Sequence, residues 1–139
     1  MQEIRDVVLD RSARLAAGDV AGALAFCLPR IVSFTLAPPL AQPGDTRDPQ
    51  PLTEWLATFE APPRREIVDL EITAGAEVAF ASYLESLTAA PRGGAEFTLW
   101  YRVTLGLSRV GGRWLIAHEH NSVPFHMDGS LRAAVDLKP

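Results

Sequence analysis

The sequence predicts one α+β domain over residues 1–139, in which a curved antiparallel sheet wraps around helices packed on one face. Three observations predict it. Apolar residues recur with a 3.6-residue period in the first part of the chain and alternate in the second. Pro and Gly clusters punctuate both parts. The chain is 139 residues long, 47% hydrophobic and 22% charged, which suits a single globular unit with a sizeable core.

The elements follow in order. Ile4, Val7, Val8, Arg11, Leu15 and Ala16 form a helical stripe. Gly18 ends that helix and Asp19 caps a second, from Val20 to about Leu28, closed by Pro29. Ile31–Leu36 is β-branched and apolar and reads as a strand, broken by Ala37-Pro38-Pro39. Residues 41–51, AQPGDTRDPQP, read as a mobile lid. Leu52–Phe59 places Leu52, Trp55, Leu56 and Phe59 on one helical face before Pro62-Pro63. Strands follow at Glu66–Thr73 and Val78–Leu87, and a long hairpin runs from Phe97 to Val110 and from Arg113 to Val123 around Gly111-Gly112. The remainder, from His126, reads as a polar tail with one weakly helical turn near Leu131–Val135.

Composition excludes several functions. The net charge is −4 with no run of Lys or Arg, so neither nucleic acid nor an anionic membrane is an expected partner. No apolar stretch reaches the roughly 18 residues of a membrane span. The N-terminus MQEIRDVVLDR lacks the order of a signal peptide. Cys27 is the one cysteine, so no internal disulfide forms, and a cytoplasmic location is expected. Its apolar surroundings, Ala23 to Leu28, read as burial of a small side chain.

The chemistry-bearing stretch is Trp114-Leu115-Ile116-Ala117-His118-Glu119-His120-Asn121-Ser122. Alternation puts His118, His120 and Ser122 on one face with Trp114 and Ile116, and Glu119 and Asn121 on the other. Two hairpin registers are open. A type I turn with a bulge at Gly112 pairs Arg109 with Arg113, Thr104 with His118, Arg102 with His120 and Trp100 with Ser122. A two-residue glycine turn pairs Arg102 with Asn121 and Thr104 with Glu119. The first is preferred, because it gathers aromatic and hydrogen-bonding groups as a ligand pocket requires.

In that pocket His120 or His118 moves a proton near neutral pH and Arg102 steadies an oxyanion. Asp45, on the lid, is a further candidate base. Phe34, Leu36, Trp55, Phe59, Trp100, Thr104 and Ser122 would contact a small apolar or aromatic ligand. Two histidines at i and i+2 lack a third ligand at convincing spacing, so neither metal nor cofactor is expected. His118-Glu119-His120 does not have the spacing of a zinc-protease helix. Three functions stay open: an enzyme on a ketone, enol or polyketide-like compound, a non-catalytic binder of an apolar acid, and an assembly module. The last would use an outer face of Leu105, Leu107, Leu115 and Ala117.

Arg14-Leu15-Ala16-Ala17-Gly18-Asp19, the strand with its Pro-Pro break, and Gly111 through Phe125 (GGRWLIAHEHNSVPF) together resemble SnoaL-like proteins of the nuclear transport factor 2-like superfamily. The resemblance implies a cone-shaped, cystatin-like roll of sheet around three N-terminal helices, with a deep pocket. It implies a homodimer through the outer sheet face. It also implies a range of activities, from isomerases of the ketosteroid type through cyclases and dehydratases to non-catalytic proteins. Aligned on Ala17-Gly18-Asp19, Arg11 stands where the isomerases carry a tyrosine, and their base position falls on Thr35 or Leu36. Neither can abstract a proton, so steroid isomerisation itself is not implied.

Overall fold

The computed structural model describes residues 1–139. The elements are α1 (Gln2–Ala16), α2 (Val20–Leu24), β1 (Cys27–Phe34), α3 (Gln50–Leu56), β2 (Arg64–Ala74), β3 (Val78–Ala89), β4 (Phe97–Val110) and β5 (Arg113–Ser122). The strands form one curved sheet in the order β1-β5-β4-β3-β2. Four of them run antiparallel, and β1 joins β5 in parallel, so the sheet is mixed.

The helices form where their signals stand. α1 buries Ile4, Val8 and Leu15, with Glu3 in its first turn and Arg14 in its last, each complementing the helix dipole. Gly18 takes a left-handed φ of 72° at its end. Asp19 then caps α2, accepting a hydrogen bond from the Gly22 amide at 2.9 Å. α2 is shorter than expected, and Pro29 does not close it. Pro29 lies inside β1, an edge strand, where a missing N–H costs no ladder bond to a neighbour.

Three further expectations change. Residues 41–46 are no detached lid. Gln42 N donates to Ser33 O, Ile31 N to Gly44 O and Thr46 N to Pro29 O, so this segment lies along the outer edge of β1. The tail forms no helical turn. It folds back on itself through a bridge between Phe125 and Ala133 and buries Ala134. The third helix spans Gln50–Leu56 rather than Leu52–Phe59, and none of its residues is buried.

The core lies between α1 and one face of the sheet. Ile4 and Val8 meet Ala79, Ala81, Tyr83, Val103, Leu105, Leu107, Trp114 and Ile116, all buried. Two bulges set which residues reach this face. In β2 the register slips between Val68 and Glu71, where Asp69 adopts φ 56°. The slip lets Ile67, Leu70 and Ile72 all reach the core despite their uneven spacing. In β5 the register slips between Gly106–His118 and Leu107–Ile116, leaving Ala117 as the extra residue.

The second bulge decides the hairpin. Val110 pairs with Arg113, so the turn has two residues, and both Gly111 (φ 58°) and Gly112 (φ 80°) are left-handed as such a turn demands. The register with a bulge at Gly112 is therefore not adopted, and the extra residue at Ala117 also displaces the Arg102–Asn121 and Thr104–Glu119 pairs expected of a plain two-residue turn. Beyond Ala117 the pairs are Gly106–His118, Leu105–Glu119, Thr104–His120, Val103–Asn121 and Arg102–Ser122. The extra residue sits mid-strand rather than at the turn. It separates His118, His120 and Ser122 from Trp114 and Ile116, which share the core face with Glu119 and Asn121.

Candidate functional site

The structure does bring Arg102, Thr104, His118, His120 and Ser122 onto one face, joined by Phe34. Arg102 Nε donates to Ser122 Oγ at 3.0 Å, and Thr104 is directly opposite His120. Phe34 sets its ring edge-to-face against His118 and His120, at centroid distances of 5.5 and 5.3 Å. His118 Nδ1 lies 2.9 Å from Val32 O. Trp100 continues the same face two residues before Arg102. This face is the outer one: Arg102, Thr104 and His120 are exposed, whereas Tyr101, Val103 and Leu105 between them are buried. Leu105 and Leu107, expected outside, are core residues.

The other expected residues are scattered. Leu36 is exposed beyond the end of β1, and Trp55 is partly exposed with its ring edge-to-face on Phe59 at 5.1 Å. Phe59 alone of this pair belongs to the buried core. Asp45 lies beside the edge of β1 and is gripped by Arg47 at 2.9 and 3.0 Å. Those hydrogen bonds lower its pKa to about 2, which leaves a poor base.

The polar chemistry of the molecule lies on the opposite, helix-covered face. Arg11 of α1 reaches across to Glu119 of β5, with Nη1 at 3.3 Å from Oε1 and Nη2 at 2.6 Å from Oε2. The next residue of α1, Ser12, donates to Glu85 Oε1 of β3 at 3.3 Å. Glu85 also accepts from Arg65 Nη1 at 3.2 Å and from the Tyr101 hydroxyl at 3.1 Å. Arg65 Nη1 in turn donates to the Tyr101 oxygen at 3.1 Å. Tyr83 stands on the same inward face of β3 as Glu85, two residues before it. All are buried or nearly so; Arg65 and Glu85 side chains are 9% and 6% exposed.

Electrostatics tie the set together. Burial opposes the charge on Glu119, but Arg11 outweighs it and holds the carboxyl below its ordinary pKa. Burial likewise opposes the Arg11 cation, and Glu119 overrides it so that the guanidinium pKa is raised. Burial and the neighbouring Glu85 carboxylate push the Tyr83 and Tyr101 hydroxyls well above the usual tyrosine value. Both stay protonated, and Tyr101 donates its O–H to Glu85. Burial also raises the Cys27 thiol, partly offset by the field of Arg11. Cys27 forms part of the wall of an open crevice of about 330 Å³, lined also by Ala21, Leu24, Ala25, Pro29, Thr46, Arg47 and Pro49. The crevice thus adjoins the Arg11–Glu119 pair through Cys27.

Sequence reasoning missed this set because it followed the histidines. Its signals were present. Arg11 interrupts an apolar helical stripe, and Glu85 occupies an inward position in the alternation Ala79, Ala81, Tyr83, Leu87. Charges in such positions are rare unless paired. Assigning Glu119 and Asn121 inward required the bulge at Ala117, which no local motif announces.

Comparison with known proteins agrees with the fold. Residues 4–126 match the model of the SnoaL-like domain. A nuclear transport factor 2-like protein of unknown function from Pseudomonas putida is 28% identical, with 99% of this chain and 95% of that one covered and a TM-score of 0.85. A ketosteroid isomerase-like protein from Erwinia carotovora atroseptica shares the fold at 17% identity and TM-score 0.73, covering 87% of this chain and 93% of that one. A putative calcium/calmodulin-dependent protein kinase II association domain from Xanthomonas campestris does so at 18% and 0.72, covering 86% and 84%. No curated protein matches the chain. The α+β roll, with its curved sheet around N-terminal helices, and the match over residues 4–126 place this chain in the SnoaL-like family.

Proposed function

We propose that this protein binds a small ketone, enol or polyketide-like compound on the helix-covered face of its sheet and moves a proton on it without a cofactor. The reaction type is that of an isomerase, cyclase or dehydratase. One observation carries this reading: two guanidinium–carboxylate pairs and two tyrosines are buried where a well-packed apolar core would be at least as stable. Evolution of stability alone does not favour such a set, and buried titratable groups with shifted pKa values concentrate at functional sites. Glu119 is the proton acceptor in this scheme. Displacing Arg11 from it as a ligand enters raises its basicity. Tyr83, held neutral, donates to the oxygen on which negative charge develops, while Tyr101 keeps its hydrogen bond to Glu85. Asn121 Oδ1, buried and without a donor, accepts an enol or hydroxyl hydrogen. Entry runs by the crevice at Cys27. Cys27, the one cysteine, suits a reducing cytoplasm.

The test is solvent-deuterium incorporation into a panel of cyclic ketones and 1,3-diketones, followed by NMR. Wild-type protein accelerates exchange and Glu119→Gln abolishes it while ketone binding persists. Exchange at the uncatalysed rate across the panel, with binding intact, reduces the protein to a binder.

A second reading concerns the outer face. Val32, Val78 and Phe80 are 55%, 64% and 52% exposed there, beside the Phe34–His118–His120 cluster. Apolar exposure of this kind on a sheet suits contact with a second copy of the chain. Under this reading Arg102, His118 and His120 belong to the contact surface of a homodimer rather than to the chemistry.

A further inference from the structure

Two side-chain atoms are buried without any hydrogen-bond partner: Nε of Arg65 and Oδ1 of Asn121. Arg65 carries the stronger implication. It stands on β2 opposite Leu87, with its side chain 9% exposed. Its Nη1 is engaged twice, by Glu85 Oε1 at 3.2 Å and by the Tyr101 oxygen at 3.1 Å. These contacts fix the guanidinium plane. They leave its other edge, Nε with Nη2, donating to no protein atom.

That edge presents two parallel N–H bonds, the fork that fits both oxygens of a carboxylate. Arg11 shows the contrast within the same interior. Both its Nη atoms are spent on Glu119, so its two-pronged bond is already made. On Arg65 the equivalent bond is unmade, although the side chain is at least as deeply buried. Nor does Glu85 exhaust the Arg65 charge. Glu85 is shared among three donors, Ser12, Arg65 and Tyr101. A buried guanidinium N–H without an acceptor bears a desolvation cost that a bound acceptor removes.

We infer that Arg65 anchors a carboxylate of the ligand, which narrows the substrate class to small keto or enol acids. The inference rests on the interior being the ligand site. Arg65 is a binding and orienting residue in this scheme. Its side-on fork sets one end of the ligand, and the Tyr101 hydroxyl bound to the same guanidinium lies next to it. Asn121 Oδ1, an acceptor in want of a donor, suits a hydroxyl or enol hydrogen on the same molecule.

The experiment uses two matched pairs of probes on the full chain, acetoacetate with methyl acetoacetate and benzoate with benzamide. Affinity is read by calorimetry, and the Asn121 side-chain amide is followed by NMR. The acids are expected to bind at least tenfold more tightly than their neutral partners. Arg65→Lys keeps a cation beside Glu85 but removes the fork, and it erases that preference. Equal affinity for acid and neutral partner in the wild-type chain overturns the anchor. If the neutral probes still shift the Asn121 amide, the interior site survives that result. An Asn121 amide that responds to no probe overturns anchor and site together. Should Arg65→Lys fail to fold, the acid-to-neutral ratio of the wild-type chain decides the matter alone.

Discussion

Arg11 of α1 and Glu119 of β5 close a two-pronged ion pair between residues 108 apart in sequence, with the shorter contact at 2.6 Å. It fastens the first helix to the last strand. Because both side chains are about 15% exposed, the pair sits largely out of water, where an orphaned charge is costly. Glu119→Gln is expected to destabilise the fold by about 3–5 kcal/mol, since it leaves the Arg11 cation buried alone. The double variant Arg11→Met with Glu119→Leu recovers most of that loss. Urea unfolding of the three proteins measures the cycle, and a double variant no better than the single one would contradict it.

The same groups set the pH window of stability. Glu119 has a folded-state pKa below its ordinary value, as does Asp45. Their contribution is full above the unfolded carboxylate range, about pH 4, and is lost as pH falls through the folded values. Tyr83 and Tyr101 have folded-state pKa values above the ordinary one. Their contribution is full below about pH 10 and is lost as pH rises beyond it. Thermal melts across pH are expected to show a plateau between these limits. Replacing both tyrosines with Phe removes the alkaline limb more than the acid one.

The hairpin turn offers a stabilising change. Gly111 holds φ 58° with no atom within 4 Å of an added Cβ. Asn tolerates that conformation and restricts the unfolded chain more than glycine does. Gly111→Asn should raise stability by about 0.5 kcal/mol, read from denaturant midpoints. Gly111→Val should lower it, because a β-branched residue resists positive φ.

The bulge at Ala117 has a sharper signature. Deleting Ala117 removes the unpaired residue and leaves Leu107–Ile116 and Gly106–His118 as consecutive pairs, so Glu119 and Asn121 stay inward and His118 and His120 stay outward. The expected outcome is a chain that still melts cooperatively and keeps the Arg11–Glu119 coupling. Loss of that coupling in the deletion variant would contradict Ala117 as the extra residue of the strand.

Outer-face association is tested by Phe80→Glu. Phe80 is half exposed and outside the core, so the change leaves melting of the monomer near that of the parent. It shifts sedimentation from a dimeric to a monomeric species at micromolar concentration. A parent that sediments as a monomer removes the second copy from consideration.

Much of the fold was legible because its signals are local. The periodicity of Ile4, Val8 and Leu15, the Asp19 cap and the paired glycines at 111 and 112 each act within a few residues. The face of β5 was not legible. It depends on one extra residue at position 117, and nothing near Ala117 marks it, because a bulge is fixed by what the neighbouring strand packs against. The same limit applied to β2. The spacing of Ile67, Leu70 and Ile72 departs from alternation, and the left-handed Asp69 accounts for it. The site followed the same rule: Arg11 and Glu85 could be marked as charges among apolar neighbours, but their partners Glu119 and Arg65 lie on other elements.

The segment from Gln42 to Thr46 has a consequence for how molecules of this protein behave in a crowd. An edge strand such as β1 presents free backbone groups on which another chain can polymerise. Here the amide of Ile31 and the carbonyls of Pro29 and Ser33 are already satisfied by the chain's own loop. The cover depends on Gly44, where an added Cβ would sit 1.9 Å from the Ile31 carbonyl oxygen. Gly44→Val should therefore lift the cover and expose the edge. Its mark would be visible fibrils or turbidity on gentle warming, below the temperature at which the helices melt.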